Sequence, residues 1–256
     1  MHKNGDQWFF NTRDLMRAAT CDHCTTLSVF HALRVPEVEA RLAPHIAKQK
    51  ELREKGEDKS LPQKYGDAFE LKLTEELTAS MPRGSVVRPE KDGDFSQTLE
   101  LMQQGVPIIY QGGLEHSAPH SVFRGKPDFL VKEGWILEFV NGSLTARLDH
   151  EIPGTPKYIV WDAKYSSHPK PEYALQVAIY IEALDARGLK TPNARHGLIL
   201  GNRTMMSFQE GEIVPATRIA RAELEQAIAR VSDSSDRKST RLNSSHLPRS
   251  RMPSSA

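Results

Sequence analysis

The clearest apolar run in the chain covers residues 158–161, Tyr-Ile-Val-Trp, and it predicts a buried strand. The strand continues into Asp162, Ala163 and Lys164. Because side chains alternate along a strand, Asp162 and Lys164 are expected on one face and Ala163 on the other. The pattern therefore places a carboxylate and an ammonium group side by side at the end of a buried strand.

A helix is predicted directly after this strand, over residues 172–186. Pro171 precedes it, and proline is favoured where a helix begins. Within the helix, Tyr173, Gln176 and Tyr180 recur at three- and four-residue spacing, so their side chains share one side. That side is expected to lie behind the end of the strand.

Alternation along strands and three- to four-residue spacing along helices also predict the remaining elements. Helices are expected at residues 8–34 (a helix-rich opening capped by Thr12), 45–64 (an exposed, charge-dense helix and loop), 65–80, 95–104 and 216–231. Strands are expected at 84–88, 106–111, 128–131, 135–140, 196–200 and 205–208, with the third and fourth paired around a Lys-Glu-Gly turn. Helices and strands in this order predict an α/β fold, with a central mixed sheet flanked by helices.

For three segments the sequence also predicts which residues are buried or exposed. In the last helix, Ile219, Leu224 and Ile228 are the apolar residues. In the helix at 65–80, Phe69, Leu73 and Leu77 form an apolar face, and Glu75 and Glu76 are expected to be solvated. The segment between residues 112 and 125 is expected to be a polar loop, in which His116 and His120 are either ordinary loop histidines or ligands and general bases.

Composition places the chain in a broad class. Its 256 residues suffice for one sizeable domain, and 38% hydrophobic residues with a mean hydropathy of -0.52 indicate a polar but foldable chain. No apolar run approaches the ~20 residues of a membrane span, and the first residues lack the apolar core of a signal peptide. We therefore expect a cytoplasmic protein without a membrane partner. The net charge of +1 neither requires nor excludes a nucleic-acid partner.

The composition changes near residue 232. Ser, Arg and Pro dominate residues 232–256, which have too little apolar surface to fold and are expected to be disordered. The segment resembles translated adapter sequence, so we interpret it as artefactual. The expected organisation is a helix-rich segment at 1–64, a core at 65–231 and this tail.

The Asp162–Lys164 pair admits two interpretations. Burying the two charges is costly unless they are paired or take part in chemistry. An ordinary ion pair at the end of a strand is one interpretation. Two upstream segments favour the other: Gly125-Lys126-Pro127-Asp128 opens the strand at 128–131, and Tyr65-Gly66-Asp67-Ala68-Phe69-Glu70 opens the helix at 65–80.

Four short motifs thus follow one another along the chain. They are a G-x-x-x-E helix, a G-x-x-D strand, a D-x-K strand and a Q-x-x-x-Y helix, matched here by Gly66 and Glu70, Gly125 and Asp128, Asp162 and Lys164, and Gln176 and Tyr180. In this order and context the set resembles the RecB-type branch of the PD-(D/E)XK nuclease superfamily, over roughly residues 8–205. The resemblance implies a restriction-endonuclease-like core at residues 65–231.

The resemblance also implies an activity and its residues. It implies a Mg²⁺- or Mn²⁺-dependent deoxyribonuclease acting on single-stranded DNA or DNA ends, in repair, recombination or processing. The implied catalytic residues are Glu70, Asp128, Asp162 and Lys164, of which the three carboxylates are the metal ligands. Such hard oxygen ligands suit Mg²⁺ or Mn²⁺ rather than zinc.

Further residues enter through the same resemblance. The carbonyl of Ala163 would complete the coordination, and Gln176 and Tyr180 would contact the nucleic acid. Related proteins often carry another nuclease-like or helicase domain after this module, so a further C-terminal domain is expected. The alternatives are an inert nucleic-acid-binding module and a scaffold in which Asp162 and Lys164 form a structural pair.

Two further segments contain candidate sites. Cys21 and Cys24 flank His23, but a structural zinc site usually needs four ligands and no second C-x-x-C exists, so a pair of semi-buried cysteines is the alternative. Some RecB-type nucleases hold an iron–sulfur cluster with three C-terminal cysteines. This sequence has no cysteine after Cys24, so no iron–sulfur cluster is expected.

The charge-dense segment at 45–64 also has two interpretations. Both signs of charge are interleaved there, which is typical of a solvated helix face. The other interpretation is contact with a phosphate backbone, through Lys48, Lys50, Arg53 and Lys55. The sequence does not distinguish endonuclease from exonuclease, or DNA from RNA.

Overall fold

A computed structural model describes residues 1–118 and 120–232 of the chain. The elements in chain order are β1 (His2–Asn4), β2 (Gln7–Asn11), α1 (Thr12–Thr20), α2 (Asp22–Ala32), α3 (Pro36–Glu54), α4 (Leu61–Ser80), β3 (Val86–Val87), α5 (Phe95–Gln103), β4 (Ile108–Tyr110), β5 (Leu114–Ala118), β6 (Ser121–Gly125), β7 (Phe129–Lys132), β8 (Trp135–Val140), β9 (Ser143–Leu148), β10 (Tyr158–Lys164), α6 (Pro171–Asp185), β11 (Arg195–Leu200), β12 (Met205–Gln209) and α7 (Glu210–Ser232). The expectations for residues 233–256 lie outside the described residues.

The main sheet has six strands in the order β12-β11-β10-β7-β4-β3. Its central strand, β10, is parallel to β11 and antiparallel to β7. β4 is antiparallel to β7 and parallel to β3, and β12 is antiparallel to β11. The predicted α/β fold, with a central mixed sheet flanked by helices, is confirmed.

Each face of this sheet has its own apolar core, because neighbouring residues of a strand point to opposite faces. On one face Val160 and Leu130 pack against α6, together with residues of α1, α5 and α7. On the other face Phe129 and Val131 pack against Phe69 of α4 and against the β8–β9 pair. The fold thus holds α6 and α4 on opposite sides of β10.

A second sheet, in the order β1-β2-β6-β5, joins the N-terminus to the middle of the chain. β2 is parallel to β6, and Phe10 is aligned with Phe123. The segment at 1–64 contains the predicted helices, but it also contains β1 and β2. α1 is capped by Asn11 rather than by Thr12: the Asn11 side chain accepts from the amide of Asp14, and the Asp14 carboxylate accepts from the amide of Asn11.

Two strand predictions were wrong. β7 and β8 do not pair around the Lys-Glu-Gly turn. β7 lies inside the main sheet, where both of its edges are occupied, and β8 pairs with β9, which the sequence did not indicate. The presumed polar loop at 112–125 contains β5 and β6, whose strand character was hidden by the polar residues on their exposed side.

Helix boundaries differ in ways that capping explains. α4 begins at Leu61, where Ser60 and Gln63 form a capping box, and not at residue 65. α7 begins at Glu210, so Pro215 lies inside it. Within α7 the buried face carries Ala220, Leu224 and Ala227, whereas Ile219 is 62% exposed. Within the described ranges, no helix has the length and apolarity needed to cross a membrane.

Candidate active site

The end of β10 carries the predicted pair of charges. Asp162 is fully buried, and the side chain of Lys164 is 18% exposed. Both lie on the α6 side of the sheet, as alternation predicts, and the Lys164 ammonium forms an ion pair with Oδ2 of Asp162. Burial alone would lower the pKa of Lys164, but the carboxylates of Asp162 and Asp128 outweigh it and raise that pKa. Lys164 is therefore an ammonium ion at neutral pH.

Asp128 joins this pair from the neighbouring strand. The register of β7 and β10 aligns Phe129 with Trp161, so the residue before β7 lies beside the end of β10. Asp128 Oδ2 accepts a 2.7 Å hydrogen bond from the amide of Ala163. Burial, followed by the charges of Asp162 and Glu70, raises the pKa of Asp128 well above its usual range.

The Asp162 carboxylate lacks the hydrogen bonds that a buried carboxylate usually has. Within the described part of the chain, Oδ1 has no hydrogen-bond partner, and the Lys164 ammonium is the compensating group at Oδ2. Buried polar atoms without partners are rare and costly. Open oxygen lone pairs next to a second carboxylate fit a hard divalent cation such as Mg²⁺ or Mn²⁺. The residues present therefore fit the predicted ion.

Glu70 comes from the opposite side of the sheet, on α4. Its Oε1 accepts a hydrogen bond from Nε2 of Gln111, and its charge contributes to the raised pKa of Asp128. Among the described residues, no group of three or more His, Cys, Asp and Glu side chains is arranged to hold a metal ion. The structure thus brings Asp128, Asp162 and Lys164 together, while Glu70 is engaged with Gln111.

Gln111 is a site residue that the sequence analysis missed. Besides the bond from its side chain to Glu70, the backbone amide of Gln111 donates to the carbonyl of Asp128 at 2.9 Å. Its side-chain Oε1 accepts from the ammonium of Lys126 at 3.4 Å. Its backbone is left-handed, with φ at 52°, which is uncommon for a residue other than glycine. The available signal was the Gln-Gly-Gly turn that directly follows β4.

The Q-x-x-x-Y motif lies on α6 beside the same strand ends. Gln176 donates to the hydroxyl of Tyr180 at 3.1 Å, and that hydroxyl donates to the carbonyl of Lys126 at 3.1 Å. Tyr180 is only 3% exposed, and burial followed by the charge of Asp162 raises the pKa of its phenol. Its contacts hold the turn before Asp128, so they support a positioning role more directly than substrate contact.

The G-x-x-D motif begins with glycine because there is no room for a side chain at Gly125. A Cβ built on Gly125 would lie 2.6 Å from a ring carbon of Tyr180 and 2.7 Å from Phe123, which is closer than side chains tolerate. Gln176 and Tyr180 also line a cleft of about 700 Å³, together with Arg13, Arg124 and a Lys126–Asp92 ion pair. Gln176, which is half-buried, is the motif residue that opens onto this cleft.

The other candidates lie in local roles. Cys21 Sγ caps α2 by accepting from the amide of Cys24, and the thiol of Cys24 is exposed. His116 lies in β5, where burial and then the charge of Arg221 lower its pKa. His120 is exposed in the turn before β6.

The charge-dense helix has the features of a solvated face. Lys55 and Lys50 face Glu51 and Glu54 one turn away along α3, and Arg53 lies 3.8 Å from Asp58. These residues and Lys48 are exposed.

Comparison with known proteins gives little beyond this geometry. No family model matches the chain, and no curated protein matches it. Among solved structures, it is similar to the crystal structure of SSO0001, with 15% identity over 91% of this chain and 80% of that one, and a TM-score of 0.41. A likeness this weak carries no argument about function.

Proposed function

We propose that this chain is a metal-dependent nuclease that hydrolyses phosphodiester bonds of DNA, at single strands or ends. One observation carries the proposal: Asp162 is buried beside Asp128, its Oδ1 has no hydrogen-bond partner among the described residues, and its Oδ2 is paired with Lys164 on the same face. A purely structural acid would be expected to complete its hydrogen bonds. The order of the four motifs along the chain supports the same activity.

The chemistry follows from the charges of these residues. Bound at Asp128 and Asp162, Mg²⁺ or Mn²⁺ would supply positive charge at the phosphate and at the attacking water. In the metal-free protein the charges of Asp162 and Asp128 raise the pKa of Lys164, so its ammonium can donate hydrogen bonds. Lys164 therefore serves to orient the attacking oxygen or to stabilise the charge that develops on the phosphate.

Glu70 and Gln176 extend this arrangement on the two sides of the sheet. Glu70 would complete the ligand set through its second oxygen, while Gln111 holds Oε1 in position. The coordinating role of the Ala163 carbonyl stays a prediction. Gln176 opens onto the cleft, where Arg13 would attract a phosphate backbone.

The test is cleavage of end-labelled single-stranded DNA in Mn²⁺ and in EDTA. Cutting in Mn²⁺ that disappears in EDTA, and that is lost in Asp162→Asn, is the expected result. The matched control is Glu75→Gln, which removes an exposed carboxylate from the α4 surface and should cut normally. Salt-sensitive binding without cutting would instead identify an inert nucleic-acid-binding module, and the absence of both would favour a scaffold.

A further inference from the structure

Three aromatic rings contact one another in series near the N-terminal end of α4. Phe69, in the core, contacts Tyr165, with ring centroids 5.9 Å apart and planes tilted by 60°. Tyr165 in turn stacks on Tyr65, at 5.6 Å and 15°. We call these three residues the aromatic stack. It begins in the core, where Phe69 is 8% exposed, and ends in solvent, where Tyr165 and Tyr65 are 53% and 50% exposed.

The exposed end of the stack is not explained by packing within the chain. In the described part of the molecule, neither tyrosine hydroxyl has a hydrogen-bond partner. The neighbouring Gly66 lies inside α4, where glycine is unfavourable, and a Cβ built on it meets no atom within 4 Å. The surface beside Tyr65 is therefore open, and nothing in the chain's own packing requires a glycine there.

The stack adjoins the candidate active site along two elements. Tyr165 follows Lys164 directly at the end of β10, and Phe69 precedes Glu70 on α4. The backbone of Tyr165 is fixed, because Gly201 lies so close that a Cβ there would be 2.4 Å from the Tyr165 carbonyl oxygen. The stack lies on the α4 side of the sheet, with Glu70 and opposite the face that carries Asp162 and Lys164, so a strand bound on the open ring would enter the site from the Glu70 side.

A cation beside the stack is open to solvent. Lys64 is exposed next to Tyr65 and has no ion-pair partner among the described residues. Lys59, near the same end of α4, is paired with Asp67. Exposed aromatic faces combined with nearby cations are the features that bind single-stranded nucleic acids, because every base has a face that can stack.

We propose that an unpaired base of single-stranded DNA stacks on the open face of Tyr65 and extends the aromatic stack. This inference rests on the proposed nuclease function and assigns the preference for a single strand to a named surface. A paired base in a duplex already stacks on its neighbours, so only an unpaired base is free to occupy the ring. Tyr165 supports Tyr65 from below, and Phe69 anchors both to the core.

The experiment measures binding without cleavage. A fluorescent oligo(dT) is titrated with the protein in EDTA, and fluorescence anisotropy gives the Kd. Tyr65→Ala and Tyr165→Ala should each weaken binding about 5- to 150-fold, while Tyr65→Trp should restore it, because stacking on an aromatic ring is lost only in the alanine variants. A strand with abasic sites, which has the same charge, should bind wild type as weakly as oligo(dT) binds Tyr65→Ala.

Leu71→Ala is the matched control, since Leu71 is a similarly exposed apolar residue on α4, at 54%. It should bind oligo(dT) like wild type, and all variants should melt like wild type because the altered side chains are exposed. Unchanged Kd in both tyrosine variants, or equal Kd for the abasic strand, would overturn the inference. Wild type that binds as expected but does not cut in Mn²⁺ would remove the nuclease function alone; wild type that cuts while the tyrosine variants bind normally would remove the stacking alone.

Discussion

Two buried ion pairs in this protein differ in how completely they are hydrogen-bonded. Glu76 and Arg203 form a two-pronged pair, at 2.7 Å and 2.8 Å, and the amide of Leu144 donates a further 2.8 Å bond to Glu76. At the end of β10, Asp162 and Lys164 are at least as deeply buried, with side chains 1% and 18% exposed against 14% and 25% for the first pair. Among the described residues, Oδ1 of Asp162 has no hydrogen-bond partner, and Oδ2 has only the Lys164 ammonium.

The difference distinguishes a charge that the fold stabilises from a charge that could bind a ligand. Hydrogen bonding by Arg203 and Leu144 outweighs burial and lowers the pKa of Glu76, so its charge is stabilised by the fold itself. Its neighbour Glu75 is exposed as expected, whereas the solvated position expected for Glu76 was wrong. Asp162, in contrast, has an Oδ1 without a donor among the described residues, and burial raises the pKa of the adjacent Asp128. We infer that the second pair is maintained for a ligand rather than for stability.

The largest expected effect is on catalysis. Lys164→Ala should reduce the rate of DNA cleavage by about 100- to 1000-fold, which is typical of removing one charge-stabilising group. Initial rates in Mn²⁺ measure this, and the Kd for DNA should change little. Turnover close to that of wild type would exclude Lys164 from the mechanism.

The structural pair should respond in the opposite way. Arg203→Ala leaves Glu76 half-buried without its main partner and should lower the free energy of unfolding by about 3 kcal/mol, measured by urea denaturation. The rate of cleavage per folded molecule should stay within about twofold of wild type, since Glu76 takes no part in the site. If cleavage fell as far as in Lys164→Ala, the distinction between the two pairs would be lost.

The next expected effect concerns the metal. A cation that binds only the folded protein stabilises it by about 2.7 kcal/mol at a hundredfold excess over Kd, so Mn²⁺ should raise the Tm of wild type. Asp128→Asn should lose most of that rise, because an amide is a poorer ligand without charge. Glu75→Gln should keep it. A full Mn²⁺ shift in Asp128→Asn would show that the carboxylates do not form a metal site.

The same variant has an expected pH dependence in EDTA. Since the folded pKa of Asp128 is raised, the ionised carboxylate destabilises the fold above the ordinary pKa, and protonation removes that cost. Asp128→Asn should therefore be more stable than wild type at neutral pH, and the difference should vanish as the pH falls towards 4. Thermal unfolding across this range measures it. A difference that grew on acidification would contradict the raised pKa.

The smallest expected effect tests how Glu70 is held. Gln111→Gly removes the bond to Glu70 but relieves the left-handed backbone, and each is worth about 1 kcal/mol, so the free energy of unfolding should change by less than that. With Glu70 no longer positioned, cleavage should fall about tenfold. Equal cleavage in the variant would mean that the position of Glu70 does not depend on Gln111.

The centre of the fold could be predicted from the sequence because its signals are local. The run at 158–161 and the alternation of Asp162 and Lys164 are sufficient to place both charges on one face of β10. Spacing along α6 is similarly local, so it correctly placed Gln176 beside Tyr180. What the spacing could not give was burial: the hydroxyl of Tyr180 is occupied by the carbonyl of Lys126, a partner far away in sequence.

Long-range pairing accounts for most of what was missed. β8 had an apolar pattern that fitted either β7 or β9 as a partner, and only the occupied edges of β7 decide between them. Gln111 acquires its role from three separate segments that meet at one turn. Glu76 looked like an ordinary helix-surface acid because Arg203 lies far along the chain. In each case the deciding contact has no signature in the local sequence.

The parallel pairing of β2 with β6 has a consequence for how this protein is made. Trp8 is aligned with Ser121, so β2 leaves the ribosome long before its partner strand exists. At ordinary translation rates the delay is about 6 to 20 s. During that time the apolar side chains of Trp8 and Phe10, both buried in the finished sheet, have no strand to pack against. A strand that is synthesised early is thus among the last to reach its final place, and nascent chains that stop before β6 are expected to need protection from aggregation.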